Sequence, residues 1–182
     1  MEELIMAKEK WVLDAAHSSV DFSVKHMMIS KVKGTFHTFD ATIEADPTDL
    51  TTANIDFVVD LASIDTRNQD RDGHLKSADF FDVEKYPKLT FSSTKIVKTR
   101  DNEYDVTGDL TIHGVTRSET FKVELVGLSK NPMTGAETAG FSVSGQINRS
   151  NYGLTWNAAL ETGGVLVGNE VNISLELEAT KG

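Results

Sequence analysis

Five histidines, His17, His26, His37, His74 and His113, are the first residues that could carry chemistry. They are dispersed along the chain, with no H-E-x-x-H pair and no tight cluster. His26 lies in phase with Phe22 and Val24 on an alternating segment. There it serves either as a core histidine bonded to backbone or as a polar contact to the head of a bound ligand. A metal site built on His17 and His26 needs neighbours that only folding could bring, so no metal and no cofactor are expected. Asn68, Asp70, Asp72, Gly73 and Asp79 are spaced partly like a calcium loop. However, the first ligand position is Asn, the twelfth is Asp where a bidentate Glu belongs, and a strand pattern precedes the loop. Arg71, Asp72 and His74 read instead as a polar network that pins a helix to its surroundings. Nucleophile-elbow, P-loop and dinucleotide fingerprints are absent. With no cysteine, thiolate zinc sites, iron–sulfur clusters, disulfides and cysteine nucleophiles are excluded. The expectation is a non-enzymatic protein; the competing reading is an enzyme on an apolar substrate, with His26 or His17 as acid or base.

The elements that would position these residues follow period two. Val20, Phe22, Val24, His26 and Met28 alternate with Ser19, Asp21, Ser23 and Lys25. The same pattern runs through Phe39–Ala45, Ala53–Leu61, Leu89 and Phe91, Tyr104–Ile112, Phe121–Leu125, Phe141–Ile147 and Val171–Ala179. Strict alternation means one buried and one wet face, which parallel sheets, covered on both faces, do not need. The sheet is therefore antiparallel. Turn signals separate the runs at Asp46–Asp49, Arg100–Asn102, His113-Gly114, Asn131–Gly135 and Gly163-Gly164. About eight strands result, and closing them into a barrel removes exposed edges and leaves room for one small ligand, with a sandwich as the structural alternative. Thr66 to about Phe81 breaks the pattern. Thr66 with Gln69 has capping-box spacing and Asp72 with Lys76 is an i,i+4 pair, so a short helix is expected there, weakened by Gly73. Leu75, Phe80 and Phe81 then turn inward and cap one barrel end. Trp11 and Trp156 are expected to pack in the core or at the rim.

The 182 residues carry a net charge of −10, which argues against a nucleic-acid partner. A chain this long buries roughly 70% of its unfolded surface, enough for one core. No apolar run is long enough for a transmembrane helix. Residues 1–9 read as a flexible tail and 10–182 as one domain. Glu2 and Glu3 stand where a signal peptide carries Lys or Arg, so the chain reads as cytoplasmic, or as periplasmic or secreted if a leader has been removed. A homodimer is compatible with this composition.

Several segments together resemble the YceI-like family of bacterial lipid- and polyisoprenoid-binding proteins. They are W-x-L-D-x-x-H-S-x-V-x-F-x-V-x-H from Trp11 to His26, G-x-F-x-x-F-x-A-x-I from Gly34 to Ile43, and S-I-D-T-x-N-x-x-R-D-x-H-L-K-S-x-D-F-F-D from Ser63 to Asp82. Y-P-x-L-x-F-S-S from Tyr86, G-D-L-T-I-H-G-V-T-R from Gly108 and R-S-x-Y-G-L from Arg149 follow in order.

The resemblance implies an all-β, antiparallel, lipocalin-like barrel with one short helix near residues 66–81, whose cavity takes an isoprenoid chain such as a quinone or prenyl phosphate. Each five-carbon unit offers about 3 kcal/mol of gross burial, and association entropy removes several kcal/mol of the total. The expected lining is Phe22, Val24 and His26 from one strand, Phe39 and Ile43 from the next, and Ile55, Phe57 and Val59 after them. Phe91, Leu110, Ile112, Phe121, Phe141 and Val143 complete the wall, with Leu75, Phe80 and Phe81 at the cap. Alternatively, some of these side chains fill a closed core.

Overall fold

Backbone hydrogen bonds close one antiparallel sheet on itself. The computed structural model describes residues 8–27, 29–157 and 167–181. Met28, the Gly163-Gly164 turn signal and residues 1–7 of the expected tail lie outside them. The strands are β1 (Glu9–Leu13), β2 (Ser19–His26), β3 (Ser30–Phe36), β4 (Phe39–Asp46), β5 (Asp49–Asp60), β6 (Ile64–Asp65), β7 (Lys88–Arg100), β8 (Glu103–Ile112), β9 (Val115–Lys130), β10 (Glu137–Asn148) and β11 (Val167–Lys181). Their order is β1-β4-β5-β7-β8-β9-β10-β11, and pairing of β1 with β11 closes the ring. β2, β3 and β6 extend the sheet beyond β11.

The eleven segments and the eight expected strands are reconciled by breaks within strands. β1 and β2 both pair with β11, on either side of a 3-10 turn at Ala15–His17. β3 and β4 are separated by only His37 and Thr38, and β5 and β6 by a 3-10 turn at Leu61–Ser63. Asp14 and Asp60 each accept a bond from the backbone N–H two residues ahead, at 3.1 Å, the side-chain chemistry that starts such turns. Each break bends a long strand around the barrel without ending it. The two-residue His113-Gly114 turn has positive φ at both positions, 56° and 74°, the geometry that matches the twist of a tight hairpin.

Apolar packing concentrates in three places. Trp11, Ala45, Ala139 and Ala179 close the end where β4 turns into β5. Val20, Phe36, Phe57, Val59, Leu61 and Ile64 pack along one wall. Leu110, Ile112, Phe121, Ile147, Tyr152 and Leu154 pack along the other. The helix, α1, spans Gln69–Lys76 and has Asn68 as its N-cap, whose side chain accepts from Arg71 N–H. The capping box expected at Thr66 does not form. Thr66 is itself buried, and both its N–H and its hydroxyl donate to Asp72 Oδ1. That bond also takes up the carboxylate expected to pair with Lys76. Glu9, expected in the tail, is the first residue of β1.

Candidate functional site

The three packed regions leave a hollow between them. An interior cavity of about 270 Å³ runs along the barrel, just under the roughly 300–1,000 Å³ of typical small-molecule pockets. Phe22, Val24, Ile43, Ile55, Phe57, Val59, Phe91, Leu110, Ile112, Phe121, Phe141 and Val143 line it, with Leu75, Phe80 and Phe81 at the helical end. Alternation places these side chains, because each leaves its strand on the same face as its i±2 neighbours. Three lining phenylalanines lie over glycines of neighbouring strands: Phe22 over Gly34, Phe91 over Gly108 and Phe121 over Gly145. A Cβ at Gly34 or Gly145 would first meet the ring and press on it, whereas at Gly108 it would first meet the backbone carbonyl of Ser92.

Two expected lining residues lie elsewhere. Phe39 starts β4 directly after the break and stacks on Phe57, ring centroids 6.1 Å apart, leaving Phe57 at the cavity wall. His26 ends β2, half-buried, paired with Ser30 and Val167, and does not reach the lining. His17 is exposed on the outer surface. Seven strand steps from Ser19 to His26 span about 23 Å, so the two histidines share no site.

His17 instead meets Asp14 and Glu178, whose candidate ligand atoms converge with its own to within 4.8 Å. Its Nδ1 lies 2.7 Å from Asp14 Oδ2. That hydrogen bond raises the His17 pKa, aided by the charges of Asp14 and Glu178, and the same bond holds Asp14 below the usual carboxylate range. The ion pair is therefore complete between the lowered Asp14 value and the raised His17 value. Sequence reasoning missed the grouping because Glu178 arrives from the far end of the chain.

The helical end of the cavity is built from polar bonds. Arg71 Nε and Nη2 donate to Thr66 Oγ1 and its carbonyl at 2.8 and 2.9 Å, beside the bonds from Thr66 to Asp72. The expected Arg71–Asp72–His74 network thus exists in part: His74 pairs with Asp79 instead, at 2.9 Å, and packs edge-on against Trp156 and Phe80. Calcium-loop residues are engaged likewise, Asn68 in capping, Asp72 with Thr66 and Asp79 with His74.

Arg149 is the lining residue that sequence reasoning missed most consequentially. It is 4% exposed and lies between the cavity and the rim. Nε donates to Gly168 O at 2.8 Å, Nη1 to Leu154 O and Trp156 O at 2.7 and 3.0 Å, and Nη2 to Val167 O at 3.3 Å. Its guanidinium carbon is 5.9 Å from the Phe80 ring centroid. Burial lowers its pKa from the ordinary value, yet a guanidinium stays charged in proteins. Nearby, Tyr152 is wholly buried and donates its hydroxyl to Glu119 Oε2 at 2.5 Å; burial first, then that carboxylate, pushes its pKa up. The only clue in the sequence was the R-S-x-Y-G-L segment itself. Chemically, the cavity offers apolar contact along its length and one bonded cation at its end.

Comparison with known proteins gives a consistent picture. A model of the YceI-like domain matches residues 11–179. A UPF0312 protein of Staphylococcus aureus strain N315 is 46% identical over 168 residues, covering 92% of this chain and 95% of the relative. The crystal structure of Burkholderia cenocepacia BcnA superposes with a TM-score of 0.78 at 29% identity, covering 91% of this chain and 98% of that one. A Campylobacter jejuni YceI protein gives 0.74 at 35% identity, covering 87% and 90%. A polyisoprenoid-binding domain from Saccharophagus degradans shares the fold at 16% identity and a TM-score of 0.66, covering 94% and 98%.

Proposed function

The chain belongs to the YceI-like family, and from that premise we propose that it binds, carries or sequesters an isoprenoid-type lipid, polyprenyl or quinone-like, without chemical turnover. The observation that carries the reading is the elongated cavity, walled by phenylalanines and branched aliphatics from every long strand. An unbranched or methyl-branched apolar chain gains about 0.8 kcal/mol for each methylene it buries there. The polyisoprenoid binding named for the Saccharophagus degradans domain supports the same class of ligand. The acid–base alternative loses ground because neither His17 nor His26 lines the cavity. Among the described residues, no helix is long and apolar enough to cross a membrane.

Val24 lies mid-strand on β2 and faces the cavity. Val24→Trp puts bulk into the hollow. Delipidated protein should keep its denaturant midpoint while fluorescent prenyl-lipid binding is lost. In a packed core the same change would cost roughly 1–3 kcal/mol by overpacking. A destabilised variant, from a parent that takes up no prenyl lipid, would sink the carrier reading. Native mass spectrometry of freshly purified protein provides a second readout, through the mass of any retained lipid.

A further inference from the structure

The β2–β3 hairpin is built against the character of the rest of the chain. Acidic residues outnumber basic ones 28 to 18 overall, yet none occurs between Asp21 and Asp40, where Lys25, Lys31 and Lys33 stand. Register pairs Lys25 directly with Lys31, and Ser23 with Lys33, all on the outer face, while Val24 and Val32 pair on the inner. Like charges directly opposite each other on a sheet destabilise it. Among the described residues none of these three lysines has an ion-pair partner; Asp21 lies further along β2, and Glu170 sits in the β11 bulge opposite the hairpin. At the tip, Met27 is 43% exposed and Ile29 84% exposed. An apolar tip above a collar of unpaired lysines matches a bilayer interface, with apolar groups below the headgroups and cations level with them.

The tip also stands at the cavity's polar end. His26 pairs with Val167, a lining residue whose carbonyl accepts from Arg149. We propose that the β2–β3 hairpin docks the barrel on an anionic lipid bilayer, tip inward, so that this end of the cavity faces the membrane. The purpose of the docking, exchange of lipid between bilayer and barrel, rests on the proposed carrier function; the docking itself does not. The chain's acidic remainder is repelled by the same surface, which fixes the orientation.

Vesicle flotation tests this with the full chain. Protein should float with vesicles of equal parts phosphatidylglycerol and phosphatidylcholine, float far less with pure phosphatidylcholine, and come off as salt rises. Each lysine near an anionic surface is worth roughly fivefold in partitioning, so K25Q/K31Q/K33Q, which removes three charges, should lose roughly a hundredfold. K25E/K31E/K33E, which reverses the charges, should lose more still, and Ile29→Asp should weaken flotation with the lysines intact. All should melt at or above the parent's midpoint, the glutamine triple being relieved of the Lys25–Lys31 repulsion, and keep its prenyl-lipid binding in vesicle-free titration. Equal flotation on both vesicle types, or a triple variant that floats like the parent, overturns the proposal. So does a concentration-dependent dimer in sedimentation that the triple variant abolishes, since the surface then serves a second copy. Loss of prenyl-lipid binding in the parent defeats the carrier reading and leaves docking standing.

Discussion

At one end of the barrel Trp11 fills the space among Ala45, Ala139 and Ala179; at the other, Arg149 donates to the carbonyls of Leu154, Trp156, Val167 and Gly168. The first closure is made by volume. A large ring sits among small side chains on β4, β10 and β11, and its one polar bond, Nε1–H to Ala45 O, is long at 3.4 Å. The second is made by direction. A planar fork joins the segment after β10 to the start of β11, and Thr66, Arg71 and Asp72 hold α1 beside it. An apolar plug tolerates change while volume is kept; a set of buried carbonyls tolerates none that removes the donor. Placing the directional closure where the cavity ends gives the barrel one permanent seal and one end whose shape is set by a few hydrogen bonds.

Conservative substitutions at the two ends should separate these modes. Arg149→Lys keeps the charge, but an ammonium on a single stem cannot reach carbonyls spread over residues 154 to 168. Losing two or more bonds from a charged donor should cost about 3–5 kcal/mol in a denaturant melt. Trp11→Phe keeps an aromatic ring and should cost about 1–2 kcal/mol. If the two losses come out equal, or their order is reversed, the contrast between a volume seal and a directional one does not hold.

Gly34 tests whether the polar end is as rigid as its bonds imply. A Cβ there would meet the Phe22 ring on one side and Thr66 Cγ2, at 3.0 Å, on the other. Thr66 is held by Asp72 and Arg71, so Phe22 must give way, and the only free space is the cavity. Gly34→Ala should therefore cost about 1–2 kcal/mol, at the low end of overpacking, and weaken prenyl-lipid binding measurably. Unchanged binding with a larger loss of stability would mean that Thr66, not Phe22, had moved.

The same contrast decides what was legible in the chain. Volume and phase are local properties, and alternation placed Phe57, Leu110 and Phe121 on the cavity side without help. Extrapolating that phase failed at strand ends, where His26 and Phe39 leave the wall. Directional bonds are not local. Thr66 and Asn68 are both good N-cap types, and only the folded partners of Thr66 decide that Asn68 caps α1. Nothing in the spacing of Arg149 says that its acceptors are main-chain carbonyls arriving from two separate segments.

Gly73→Ala carries the smallest effect and tests how the directional end is joined to the rest. A Cβ at Gly73 meets nothing within 4 Å, and the residue lies inside α1, so replacement removes glycine's helix cost, roughly 1 kcal/mol, at no steric price. Where that gain appears depends on coupling. If the Thr66 bonds tie α1 into the barrel's cooperative unit, α1 unfolds only when the barrel does, and the denaturant midpoint rises with nearly the whole gain. If α1 opens on its own beforehand, the midpoint stays put, and the gain appears only as slower amide exchange across residues 69–76. Because α1 carries Leu75 into the cavity lining, the first outcome means the cavity wall is as stable as the barrel. A drop in the midpoint would contradict the open surroundings of Gly73 and remove α1 from this account altogether.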